Sequence, residues 1–208
     1  MKTLLFISLF FTGLLTHAVA QVDPALKNMQ LYESSEYITY GHRITLEFSE
    51  LEFHLGIGVF PKTNIAYLTY KQLIALMQDT AKRQNWDEDR YIKSRNYLYK
   101  NAKGGRIILY VERYDQYNTN NKLFFVIIRD MEGDKLFEHH LSYRAADLVT
   151  TEKFSNSAHI DVDVELPETF SVFVNNKTTE RLTDTKFVVE TNAAPLIKPK
   201  KPEPETEK

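Results

Sequence analysis

The chain has no cysteine among its 208 residues. That excludes a disulfide framework, a thiolate metal site and a thiol nucleophile, so stability has to come from a buried core. Charge of one sign is also lacking: 26 basic residues stand against 28 acidic ones, a formal net charge of −2. No clustered basic excess offers itself to nucleic acid or to an anionic membrane surface. Tryptophan occurs once, at Trp86. Catalytic signatures are missing too. There is no G-x-S-x-G and no H-E-x-x-H, and Gly56-Ile57-Gly58 runs into Val59-Phe60-Pro61 rather than into a third glycine opening a helix. That argues against an activated nucleophile and against a dinucleotide-type phosphate cradle.

What is present begins with a leader. Met1-Lys2-Thr3 is a short basic start, residues 4–15 are apolar, and Ala18 and Ala20 supply an A-x-A pattern. The run is shorter than the about 20 residues a membrane span requires and matches a cleavable signal peptide of residues 1–20. Cleavage is expected between Ala20 and Gln21, giving a periplasmic or secreted protein with no membrane span in the mature chain. No later segment is apolar enough to span a bilayer.

With 43% apolar and 26% charged residues, the remainder reads as one globular domain plus ends. Residues 21–42 are an irregular lead-in with at most a short strand near Tyr37-Ile38-Thr39. From Arg43 a period of two sets in at Ile44, Leu46 and Phe48, then resumes out of phase at Leu51, Phe53, Leu55, Ile57 and Val59. The slip marks a bulge or turn at Ser49-Glu50. A short strand is expected over residues 64–68. Thr69 with Gln72 forms a capping box, Leu68 and Leu73 a hydrophobic staple, and Leu73, Leu76, Met77, Thr80 and Ala81 one helical stripe. Asn85 and Glu88 repeat the capping pattern, which starts a second helix at Trp86. Residues 93–99 fit helix and strand equally.

The densest apolar stretch, residues 106–143, reads as three consecutive antiparallel strands, two of them apolar on both faces and so central to a sheet. Asp130-Met131-Glu132-Gly133 fits a type I turn with glycine left-handed. Residues 159–166 alternate strictly, with Ile160, Val162, Val164 and Leu166 inward and His159, Asp161, Asp163 and Glu165 outward. Phe170, Val172 and Val174 make another strand, and Phe187-Val188-Val189 closes the domain. Four of the seven prolines fall in residues 193–208, interleaved with Lys and Glu, as in a disordered tail. The fold class that follows is mainly β: an antiparallel β-sandwich, or partly open barrel, of about eight strands over residues 43–192, with a one- or two-helix insertion near 69–100.

Two constellations offer chemistry. His159, Asp161 and Asp163 share one strand face, and the two aspartates carry hard oxygen ligands, so calcium is the one cofactor they raise; the sequence asks for no other. Same-face neighbours lie about 7 Å apart, so loops would have to complete the shell. The other is aromatic: Trp86, Tyr110, Tyr114 and Tyr117 belong to a tyrosine-rich interval that can form a platform for a sugar or a protein. His139-His140 splits across the two faces of a strand, which places His139 as a hydrogen-bonded core histidine beside Phe137 and Leu141. Asn176-Lys177-Thr178 matches a glycosylation acceptor. The leading functional expectation is an exported, non-catalytic module that binds a protein or a cell-envelope component. A carbohydrate-binding module using the tyrosines comes second, and a hydrolase built on Asp161 and Asp163 third.

Overall fold

The computed structural model describes residues 35–49, 62–151, 153–177 and 183–192. The expected leader, the apolar strand expected over residues 51–59 and the proline-rich residues 193–208 lie outside them.

Among the described residues, ten strands and two helices follow one another. They are β1 (Glu36–Thr39), β2 (His42–Ser49), β3 (Lys62–Leu68), α1 (Tyr70–Arg83), α2 (Glu88–Asn101), β4 (Gly105–Arg113), β5 (Phe124–Arg129), β6 (Lys135–His140), β7 (Asp147–Thr150), β8 (Lys153–Val162), β9 (Thr169–Asn176) and β10 (Thr183–Glu190). They build a sandwich of two antiparallel sheets. One has the order β1-β2-β10-β9-β5-β6, the other β3-β4-β8-β7. The fold is mainly β, with no closed barrel, and both helices fall in the expected insertion.

Strand β4 is apolar at every central position and buried on both faces. Ile107, Leu109 and Val111 point into the core between the sheets, against Ile65, Val126, Val172 and Phe187. Ile108 and Tyr110 point the other way, into a second cluster with Leu73, Met77 and Leu98 of the helices. Strand β5 sends Phe124, Val126 and Ile128 into the inter-sheet core. Both strands are interior, as their composition predicts, but they are not neighbours. The three-strand meander is therefore corrected: β4 pairs with β3 and β8, β5 pairs with β6 and β9, and the Asn-rich loop between them changes sheets. Asn121 Nδ2 donates to Ser157 O at 3.0 Å and Asn156 Nδ2 donates to Thr119 O at 3.2 Å, which ties this crossover to β8.

Other boundaries shift for local reasons. Residues 36–42 belong to the sheet rather than to a lead-in, because Tyr40 and Gly41, at φ 51° and 82°, make the two-residue turn that joins β1 to β2. Tyr37 is buried, and its hydroxyl donates to Ile65 O (2.9 Å) while accepting from Ile65 N (3.1 Å), linking the two sheets. The Thr69–Gln72 capping box forms as expected, with Gln72 N donating to Thr69 Oγ1 at 3.3 Å and Thr69 N to Gln72 Oε1 at 2.8 Å. The second helix starts two residues late. Asp87 is its cap, accepting from Arg90 N at 2.7 Å, and Asn85 instead takes the left-handed turn position at φ 49°. Residues 93–99 are helical. Strand β8 starts earlier than expected and ends at Val162, so Val164 is exposed, although Leu166 still packs on the core. His139 lies on the edge strand β6, exposed and stacked on Phe137 at 6.2 Å, so it is not a core histidine. Asn176 is only 8% exposed, which removes its amide from the surface a glycan needs.

At the junction of α2 and β4 the chain passes close to two others. A Cβ on Gly105 (φ 93°) would stand 2.2 Å from Leu68 O. Gly105→Ala is therefore expected to destabilise the fold by about 3 kcal/mol in urea denaturation, from backbone strain and overpacking together; a loss under 1 kcal/mol would contradict the packing described. Tyr67 lies beside this junction, donating to Gly104 O at 2.7 Å with its ring edge-on to Phe170. Burial pushes its phenol up to about 12 from the usual 10. An unfolded chain loses that proton first, so the folded state loses stability between pH 10 and 12, by roughly 2 kcal/mol from this residue. The stability difference between the parent and Tyr67→Phe should hence be constant below pH 10 and shrink above it. A difference that stays constant to pH 11.5 would exclude the phenol as the cause.

Candidate functional site

The helical hairpin covers the outer face of the β3–β4 half of its sheet, but not tightly. From α1, Leu73 and Met77 stand one turn apart and reach the sheet; from α2, Leu98 alone is buried. One turn before Leu98 stands Ser94, too small to fill the position. The result is a cleft of about 460 Å³ between the helices and the sheet. Leu68, Leu73, Met77, Leu98 and Ile108 form its apolar floor, and Leu76, 45% exposed, continues the apolar lining outward.

Trp86, in the turn between the helices, forms one wall. Its indole Nε1 donates to Gln84 Oε1 at 2.9 Å, and the Arg90 guanidinium sits 4.1 Å from the ring centroid. A cation held against an indole face contributes about 0.5–1 kcal/mol where exposed, enough to hold the ring's orientation.

The polar groups that line the cleft are Thr80, Lys93, Ser94, Tyr97 and Arg106. Arg106 is fixed by register: it faces Asp161 across the β4–β8 pair. Its Nε and Nη2 donate to the two carboxylate oxygens at 2.6 and 3.2 Å, leaving Nη1 unused by that pair. The Tyr97 phenol is held above its usual range, first by desolvation and then by its hydrogen bond to Asp161.

Placed in this frame, the expected site residues separate. Trp86 lines the cleft. Tyr110 is 3% exposed beneath the helices, with its hydroxyl on Glu112 Oε2 at 3.1 Å, so it offers no surface. Tyr114 and Tyr117 are exposed but lie past the other end of β4, Tyr114 with Lys153 Nζ 5.9 Å from its ring. The four rings form no common platform. On the acidic strand His159 and Asp163 are exposed, while Asp161 turns to Arg106 rather than to a cation. Among the described residues no group of three or more His, Asp or Glu side chains is arranged to hold a metal ion. Leu76, expected in the helical stripe of α1, is instead 45% exposed at the cleft, while Lys93, Ser94, Tyr97 and Arg106 are lining residues that no sequence pattern singles out. The trace that the cleft leaves in the sequence lies on α2, where Ser94 stands one turn before the buried Leu98 in place of an apolar residue. Comparison with known proteins finds no matching family model, no matching curated relative and no matching solved structure.

The side chains of the Arg106–Asp161 pair are only 23% and 13% exposed, so removing one charge strands the other. Asp161→Asn is expected to cost about 2 kcal/mol of stability and to bring the Tyr97 phenol back toward its ordinary range. Tyrosine-selective ¹³C NMR titration checks this; an unmoved Tyr97 titration would contradict the contact.

Proposed function

We propose that the chain is an exported, non-catalytic binding module that receives an apolar group of a protein or cell-envelope partner in the cleft beneath the helical hairpin. The observation that carries this reading is the cleft itself. Its volume falls in the range of ligand sites, about 300–1,000 Å³, and its composition, an apolar floor with a few polar groups at the rim, is the usual one for such sites. The hydroxyl of Thr80 is spent on Leu76 O at 2.8 Å, and Asp161 on Arg106, which leaves Lys93 and Ser94 among the polar lining groups to meet a ligand. Export rests on the leader and binding on the cleft.

Trp86 is the chain's only tryptophan and lines the cleft, so occupancy can be read from it. The uncharged fluorophore N-phenyl-1-naphthylamine is expected to brighten on binding and to quench Trp86 emission by energy transfer. Ser94→Phe fills the cleft from α2 and should abolish both signals while its melting temperature stays close to that of the parent. Equal binding by parent and variant would place the fluorophore elsewhere and remove the cleft as the site.

A further inference from the structure

The cleft is apolar, but its mouth is not neutral. The residues that line it include two cations, Lys93 and Arg106, and no carboxylate. Asp161 offsets Arg106 through their ion pair, and Lys93 has no carboxylate within ion-pair distance among the described residues. Counted over the lining residues and Asp161, two cations against one carboxylate leave one positive charge, beside the Ser94 hydroxyl and the unused Nη1 of Arg106. An apolar group that enters here brings whatever it carries at its end past that charge.

We propose that the occupant is an unbranched acyl monocarboxylate, its chain on the floor of the cleft and its carboxylate at Lys93 and Ser94. This rests on the reading of the cleft as a binding site and names what enters it. Three features select the class. The floor is leucine, isoleucine and methionine, side chains that conform to a flexible chain, and methionine adapts to it most easily. A volume of about 460 Å³ suits a chain of roughly ten carbons. The single uncompensated charge matches a monoanion; a dianionic phosphate would be left half-balanced, and an ammonium head would be repelled.

The test is displacement of N-phenyl-1-naphthylamine from the full chain by three ten-carbon amphiphiles: decanoate, decanol and decylamine. Decanoate is expected to displace it at five- to tenfold lower concentration than decanol, the advantage of a partly exposed charge-assisted contact. Decylamine should be weakest. Octanoate should bind more weakly than decanoate by about fourfold per methylene removed. Lys93→Met should erase the advantage of decanoate over decanol, and Lys93→Glu should shift the preference to decylamine; Lys93 is exposed, so neither change threatens the fold. If the three amphiphiles displace the fluorophore equally, the carboxylate assignment falls while the cleft remains a site. Displacement by an acidic, leucine-rich peptide but not by decanoate would also overturn it, in favour of a protein partner. Failure of the fluorophore itself to bind would bring down the cleft reading as well.

Discussion

Burial of β4 on both faces is the constraint on which the rest of this structure depends. Each of Ile107, Ile108, Leu109 and Val111 is fully buried, and full burial of such a side chain contributes about 1.5–3 kcal/mol. A strand that gains this on both sides needs a layer on each. The six-stranded sheet supplies the inner layer and the helical hairpin the outer one. The neighbouring strands then decide how far the outer layer extends. On β3, Ala66 and Leu68 extend the apolar outer face; on β8, the residues paired with Ile108 and Arg106 are His159 and Asp161. The hairpin therefore covers β3 and β4, and the cleft opens along the border with β8. The Arg106–Asp161 pair marks that border.

The cover is held unevenly. Gln72 secures the start of α1, since its Oε1 accepts from Thr69 N and lies 2.8 Å from His42 Nε2, while its Nε2 donates to Tyr40 O at 2.7 Å. One amide thus joins the helix cap to the turn between β1 and β2. Toward the other end of the hairpin the support is thinner: Trp86 N donates to Ala81 O at 3.0 Å, and α2 contributes one buried side chain. Little buried apolar contact and much exposed helix backbone make a segment that opens at low free energy. A binding cleft under such a segment can admit a ligand without disturbing the sandwich.

Much of this was legible in the residues, and what was not has identifiable causes. The capping box at Thr69, the turn around Gly133 and the inward Ile160 and Val162 depend on local chemistry or on period, and all three are found. Period reports which face a side chain takes but not which strand lies beside it, so the separation of β4 and β5 into different sheets left no local trace. The same gap hid Tyr110, whose outer-face neighbours Leu73, Met77 and Leu98 come from the two helices that precede β4. Asn85 and Asp87 are both good helix caps, and only the left-handed turn at Asn85 decides between them. Arg113 reads as the polar end of a strand. It is 7% exposed, with Nη1 donating to Lys62 O and Nη2 to Thr63 Oγ1. The ion pair at the cleft mouth joins residues far apart in sequence and exists only because of the β4–β8 register.

Residue-resolved hydrogen exchange tests most directly the claim that β4 is the shared scaffold and the hairpin a separable cover. The account predicts that the amides of β4 exchange only through global unfolding, whereas those of α2 exchange through a smaller opening of distinctly lower free energy and weak denaturant dependence. Amides of α2 as protected as those of β4, with the same denaturant dependence, would show the hairpin to be an integral part of the sandwich and would contradict the account.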